Sequence, residues 1–309
     1  MMSRRKTIDP RFPVLATLAL LLGAATARGE SPRKPEAGHR DGYIDSRQML
    51  QTFSKRLQEL HDASRSTKTR TLLRQLSRKR CGIQLPAMTE PTVSPADLYE
   101  LRKEAVVAVG ALYKCGKCSK WHTRVASGFL VTSDGVIITN YHVVDHRETK
   151  ALGAMTYSGT VYPVEEVLAA DRGGDIAVLR LQGTGFPYVS MTEASPVGAR
   201  VWVISNPNKQ LYTFTEGIIS ARLAQTLKGT ETKRLSVTAD FAGGSSGAPA
   251  FDSHGRVVGM VASTRAAKTN AECKNSYAQM VFRYCIPAEL ILECFAPQTE
   301  TPPGARSEP

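Results

Sequence analysis

No stretch of this 309-residue chain is long enough to cross a bilayer. Its longest apolar run, Val14–Ala25, has 12 residues, against the roughly 20 that a spanning helix needs. No internal repeat is evident, which sets aside repeat architectures. Charge of one sign is also scarce where a nucleic-acid-binding domain would need it. The whole chain is +12, yet residues 1–27 hold +3 of this and residues 28–80 hold +8, with 14 Lys and Arg against 6 Asp and Glu. Residues 81–309 are left at +1. The basic character is therefore confined to one N-terminal segment, and no nucleic-acid partner is expected.

What is present at the N-terminus reads as an export signal. Arg4, Arg5, Lys6 and Arg11 precede the apolar run, and Ala25-Thr26-Ala27 offers a small-x-small cleavage site. The mature chain is expected to begin at Arg28, with a secreted or periplasmic location. Cys81, Cys115, Cys118, Cys273, Cys285 and Cys294 suit that compartment, because an even cysteine count in an exported chain predicts disulfides. Their pairing is left open. Cys273 and Cys285 would clip a long loop. Cys115-Gly-Lys-Cys118 with nearby His122 also resembles part of a zinc knuckle, but such a site needs a fourth ligand and reduced thiolates. The export signal favours disulfide, so no metal or organic cofactor is expected.

Residues 28–95 form a region of their own. Residues 28–42, rich in Pro, Gly and charge, are expected to be disordered. From Ser46 the apolar residues Met49, Leu50, Phe53, Leu57 and Leu60 recur at helical spacing, and Leu72, Leu73 and Leu76 continue a weaker stripe. One or two amphipathic helices follow, then a loop with Pro86, Pro91 and Pro95. Three roles stay open: a helical extension packed on the rest of the chain, a pro-segment removed at Arg78-Lys79-Arg80, or contact with an anionic surface or polymer through residues 28–80.

From about residue 96 to 296 the text changes. A short helix with Asp97 as its cap precedes strand-like runs at Ala105–Tyr113, Val125–Thr132, Val136–Thr139, Val161–Leu168, Ile176–Leu181, Val201–Ile204, Phe214–Ser220, Leu235–Thr238, Ala248–Phe251 and Val257–Ala262. Many short strands punctuated by Gly, Pro and Asn predict an all-β barrel or sandwich. Roughly 200 residues is ample for two packed barrels. The tail, 297–309, is expected to be unstructured.

Three strings carry chemistry: TNYHVV around His142, GGDIAVLRL around Asp175 and AGGSSGAP around Ser246. A serine hydroxyl is a weak nucleophile at neutral pH and needs a base to take its proton. His142, just after the strand Val136–Thr139, is the candidate base; His146 reads as structural. Asp175, opening an apolar strand, would fix the histidine tautomer and stabilise the imidazolium while staying ionised. Asp171, separated from that strand by two glycines, reads as a turn residue. Ser246 is the candidate nucleophile, preferred over Ser245 because Gly244 and Gly247 flank it. These glycines would let the loop turn the amides of Gly244 and Ser246 to one point as an oxyanion hole. The chain order His, Asp, Ser points to a hydrolase of the chymotrypsin type rather than the subtilisin or α/β-hydrolase type.

These strings, with SGFLVTSDGVIITNYHVV, LAADRGGDIAVLRL, VGARVWVISNPN, TEGIISA, GGSSGAPAFDSHGRVVGMVAS and FRYCIPAELI, resemble the trypsin-like domain of the HtrA/Deg serine proteases over about two thirds of the chain. The resemblance implies a chymotrypsin-like double six-stranded β-barrel with a mainly helical extension before it. It places barrel 1 at about 97–190, barrel 2 at about 191–290, and the catalytic residues in the cleft between them. It also implies a serine endopeptidase acting on proteins or peptides. Some features depart from the family. Only about 15 residues follow Cys294, too few for the PDZ domains that often follow such a protease domain. Ser245 stands where trypsin zymogens use an Asp for activation, and Ala248 replaces a usual glycine. Asp240, six residues before Ser246, is a candidate floor for a substrate pocket that would favour Arg or Lys, with loop hydrogen bonding as the competing role.

Overall fold

The computed structural model describes residues 38–87, 91–227, 229–268 and 278–297. The expected signal segment, the first part of the 28–42 segment, Cys273 and nearly all of the expected tail lie outside these residues. The described part opens with a small hairpin, β1 (His39–Arg40) and β2 (Tyr43–Ile44), then helices α1 (Ser46–Asp62), α2 (Thr69–Gln75) and α3 (Pro95–Arg102). Six strands follow: β3 (Val106–Lys114), β4 (Trp121–Leu130), β5 (Val136–Thr139), β6 (Thr149–Met155), β7 (Val161–Asp171) and β8 (Ile176–Leu181), with the single-turn helix α4 (Tyr141–Val144) after β5. Six more complete the fold: β9 (Arg200–Ser205), β10 (Thr213–Leu227), β11 (Thr230–Val237), β12 (Pro249–Phe251), β13 (Val257–Lys268) and β14 (Ala278–Pro287). The helix α5 (Ala288–Leu292) ends the set.

The strands close into two antiparallel barrels, in the orders β3-β4-β5-β8-β7-β6 and β10-β11-β14-β13-β12-β9. This is the expected all-β, chymotrypsin-like double barrel. Closure leaves no free sheet edge within either barrel. The hairpins β10–β11 and β13–β14 run beyond their barrel as long arms. No helix among the described residues is long and apolar enough to cross a membrane.

The helical stripe of the extension finds its partner on the first barrel. Asp45 caps α1 by accepting a 2.9 Å hydrogen bond from the Gln48 amide. Met49, Phe53 and Leu57, one turn apart, are fully buried, and α1 packs on β6, β3 and β7. The barrel is shaped to receive it. Gly110 of β3 and Gly153 of β6 face each other across the ladder. A Cβ at Gly110 would lie 2.5 Å from the Phe53 ring, and one at Gly153 would lie 2.6 Å from Leu57 Cδ2. Fully burying three such side chains contributes roughly 1.5–3 kcal/mol each.

The segment after α2 is laid along the same barrel. Arg78 pairs with Glu166 at 2.9 Å, donates to the Val167 carbonyl at 2.7 Å, and its own carbonyl accepts from the Ala170 amide. The Cys81 amide donates to the Cys294 carbonyl at 2.9 Å, so the extension meets the last helical turns among the described residues. The cap of α3 is Ser94 rather than Asp97. Pro95 occupies the first helical position. Ser94 Oγ accepts from the Asp97 amide and donates to the Asp97 carboxylate at 2.6 Å. This is a relative of the capping box, in which the carboxylate of the third helical residue bonds the capping hydroxyl instead of the capping residue's amide.

All five described cysteines, Cys81, Cys115, Cys118, Cys285 and Cys294, are free. The disulfides expected from the even count are therefore not formed among the described residues.

Candidate active site

His142 sits in α4, the turn that follows β5, next to buried Asn140. Its partner Asp175 lies immediately before β8, the strand paired with β5, so the ladder that joins Thr139 to Ala177 also brings the two side chains together. His142 Nδ1 is 2.9 Å from Asp175 Oδ2 and 3.1 Å from Oδ1, and the His142 amide donates to Oδ1 at 3.0 Å. Asp175 has φ 65°, a left-handed backbone that a non-glycine residue adopts at a cost of roughly 1–3 kcal/mol. Two bonds hold it there: the Tyr141 amide and Asn140 Nδ2 both donate to the Asp175 carbonyl at 3.1 Å. Asp171 accepts from the amides of Gly173 and Gly174, the bonds of a turn residue.

Ser246 lies in the loop between β11 and β12 of the second barrel and shares a cavity of about 160 Å³ with His142 and Gly244. Val109, Val125 and Ala126 line the same space. Ser245 faces the other way. It is fully buried, and its Oγ donates to Ser205 Oγ at 3.0 Å. Gly244 and Gly247 have φ of 99° and 87°. A Cβ at Gly244 would collide with the Asn206 carbonyl oxygen, and one at Gly247 with that of Ser127. Only glycine fits either position. The amides of Ser245, Gly247 and Ala248 bond the carbonyls of Ala242, Val261 and Ser245. Those of Gly244 and Ser246 meet no backbone acceptor among the described residues.

Several residues of the site carry no signal in the sequence. Ser127 of β4 reaches from the first barrel into the loop that holds Ser246. Its amide donates to the Ser246 carbonyl at 2.8 Å and its Oγ donates to the Gly244 carbonyl at 3.0 Å. Asn206 in turn donates from Nδ2 to Ser127 Oγ at 3.0 Å, and Thr139 donates to the Ser127 carbonyl at 2.8 Å. Arg234 of β11 reaches the opposite way, donating to the Gly174 carbonyl at 3.3 Å beside Asp175. Burial pushes its guanidinium pKa down, and the carboxylates of Asp175 and Asp171 oppose that shift. His146, read as structural, also borders the cavity, with its pKa lowered by burial and by nearby Arg124.

Asp240 is not brought to this cavity. Its carboxylate pairs with Arg283 of β14 and stays 76% exposed, and its carbonyl accepts from Thr215 Oγ1. A second, larger cavity of about 1050 Å³ lies between the extension and β4, bordered by Leu50, Trp121 and His122.

Residues 126–260 match the family model of trypsin-like peptidase domains. Over these residues the chain has a trypsin-like peptidase domain similar to those of the HtrA/DegP proteases. Within this domain the match takes in His142, Asp175 and Ser246. The domain is 36% identical over 137 residues to a probable periplasmic DegP-like serine endoprotease of Rhizobium meliloti, covering 43% of this chain and 27% of that protein. It is 30% identical over 142 residues to the mitochondrial serine protease HTRA2 of Drosophila pseudoobscura, covering 43% of this chain and 33% of that protein. The chain thus spans a third or less of these relatives' length. Among solved structures, the HtrA-type protease AlgW, determined with a decapeptide, superposes with a TM-score of 0.55 at 19% identity over 66% of each chain. At that identity the likeness shows the fold.

Proposed function

We propose that the protein is an exported serine endopeptidase. The observation that carries this reading is His142 Nδ1 held by the Asp175 carboxylate, with Ser246 on the wall of the same cavity. With its Nδ1 proton donated to Asp175, the imidazole presents Nε2 as a base. Ser246 Oγ attacks the scissile carbonyl carbon as its proton passes to His142 Nε2. The oxyanion that forms is received by the amides of Gly244 and Ser246, a donor pair of the kind worth on the order of 3 kcal/mol per bond. The tetrahedral intermediate then expels the amine, which takes the proton from His142. Water repeats the sequence on the acyl-enzyme and releases Ser246. Asp175 remains ionised throughout and stabilises the imidazolium.

The DegP-like and HTRA2 relatives are named as serine proteases, and AlgW was solved with a peptide, which supports a peptide or protein substrate here. The preference for Arg or Lys suggested by Asp240 has no support in its position, since its charge is already matched by Arg283. A fluorogenic peptide library is expected to show no enrichment for basic residues. Export rests on the signal-like segment 1–27 and on the periplasmic naming of the bacterial relatives. Sequencing of the mature protein is expected to begin at Arg28.

The decisive experiment is labelling with a serine-reactive fluorophosphonate. Wild type is expected to label, while Ser246→Ala and His142→Ala label at background. Wild type labelling no better than Ser246→Ala would overturn the reading and leave a protease fold used for binding.

A further inference from the structure

Where the β3–β4 hairpin turns, the chain gathers three soft donors at one point. Cys115, Cys118 and His122 place their ligand atoms within 4.8 Å of one another. Cys115 Sγ and Cys118 Sγ are 3.5 Å apart, and Cys118 Sγ is 3.2 Å from His122 Nε2. Ligands on one tetrahedral zinc ion, with ordinary bond lengths, sit about 3.8 Å apart for two sulfurs and about 3.6 Å for sulfur and nitrogen. Both observed edges are within a few tenths of an ångström of this. Two sulfurs at 3.5 Å are not a disulfide, and a disulfide would give His122 no reason to join them.

The backbone favours the same cluster. The β3–β4 ladder closes at Lys114 and Trp121, so His122 is fixed by its pairing with Tyr113, while the loop Cys115–Lys120 brings Cys118 Sγ to its Nε2. Gly116 supplies the turn with φ 71°. Lys114, Lys117 and Lys120 surround the loop in sequence and offset the two thiolate charges.

We propose that Cys115, Cys118 and His122 bind a zinc ion, with the fourth position open to water. Binding displaces the thiol protons to solvent and leaves both cysteines as thiolates, with neutral His122 donating through Nε2. The ion would fasten the tip of the β3–β4 hairpin. From His122 the same strand continues through Val125 and Ala126, which line the Ser246 cavity, to Ser127, which holds the nucleophile loop. The zinc site itself does not depend on the protease reading and is tested without it.

The full-length reduced protein, freed of metal, is titrated anaerobically with cobalt(II) and then with zinc(II). The expected result is intense visible bands of tetrahedral cobalt with a thiolate charge-transfer band, saturating at one metal per chain and erased by zinc. Cys118→Ser is expected to abolish the bands. His122→Ala should weaken affinity beyond the roughly 10–100-fold typical of losing a group that merely orients a ligand. Cys81→Ala, whose thiol meets the Cys294 carbonyl and not the cluster, should leave the spectrum unchanged. Circular dichroism checks that each variant folds, and Cys115→Ser serves if one of them fails. Only the weak bands of octahedral cobalt, bands that survive Cys118→Ser, or recovery of a Cys115–Cys118 disulfide from protein kept with zinc in air would each overturn the proposal.

Discussion

The two barrels have the same strand count and the same closure, yet they are dressed differently. The first is wrapped: α1 and α2 lie on its outer face, and Gly110 and Gly153 leave room for Phe53 and Leu57. Its core and the extension's stripe form one continuous apolar cluster. That cluster continues into the second barrel through Trp202, Ile204, Phe251 and Met260, but the second barrel also has a separate smaller core around Val201, Val203, Ile219 and Val258, carries no such helical wrapping and sends its hairpins outward. The difference teaches that barrel closure alone does not define the folding unit. For the first barrel, the unit includes residues that a domain boundary at 95 would have cut away.

The largest expected effect follows directly. Deleting the chain up to Arg80 strips Met49, Phe53, Leu57 and Leu72 from the first barrel. At roughly 1.5–3 kcal/mol per side chain, the loss is comparable to the whole stability of an ordinary domain. The truncated protein should be insoluble or melt far below the full chain. A truncated protein that melts within a few degrees of wild type would dissolve the comparison and restore a detachable segment.

Next comes the socket itself. Phe53→Ala should destabilise by about 3–5 kcal/mol in urea unfolding. Gly110→Ala places a methyl group against the Phe53 ring and should cost about 1–3 kcal/mol. In the Phe53→Ala background that second cost should largely vanish, since the two share one space. Additive losses would show that the glycine serves the strand and not the helix.

Smaller again is the bridge between barrels. Arg234→Leu keeps most of the buried volume but removes the bond to the Gly174 carbonyl and the charge beside Asp175. A fall of about 1–3 kcal/mol in transition-state stabilisation is expected, read as a loss in kcat/KM with the melting temperature moved far less. Equal losses in both would make Arg234 a packing residue.

The smallest effect concerns chemistry at the thiols. Burial pushes Cys285 and Cys294 up to about 12, so their thiolate fraction at pH 8 is negligible and rises only as pH climbs toward that value. In metal-free native protein, timed alkylation should modify Cys115 and Cys118 at the hairpin tip first, with Cys285 and Cys294 protected until unfolding. Early labelling of Cys285 would show that the second barrel opens more readily than its core suggests.

Much of the fold is legible in the amino-acid sequence. β5 and β8 stand where Val136–Thr139 and Ile176–Leu181 read as strands, because β-branched runs buried on both faces carry their own signal. β6 is not legible. Its text, TKALGAM, is short of β-branched residues because Gly153 and its alanine neighbours make room for α1, so the helix that covers the strand also erased its signature. The meeting of His142, Asp175 and Ser246 in one neighbourhood is expected from their flanking strings. Ser127 cannot be found this way. Its role is a contact with Gly244, 117 residues later in the chain, and an isolated serine in a strand gives no local sign of such a partner. Asp240 shows the converse limit: its spacing from Ser246 suggests a pocket, but the spacing says nothing of Arg283, from a distant strand, which pairs with it.

The Ser127 contacts also bear on time. One barrel holds the serine that shapes the other barrel's loop, so no fragment emerging early in synthesis carries a finished site. Strand β4 is made long before the loop at Ser246, and it waits without its partner until the second barrel closes. A chain built this way completes the neighbourhood of Ser246 only when both barrels are present.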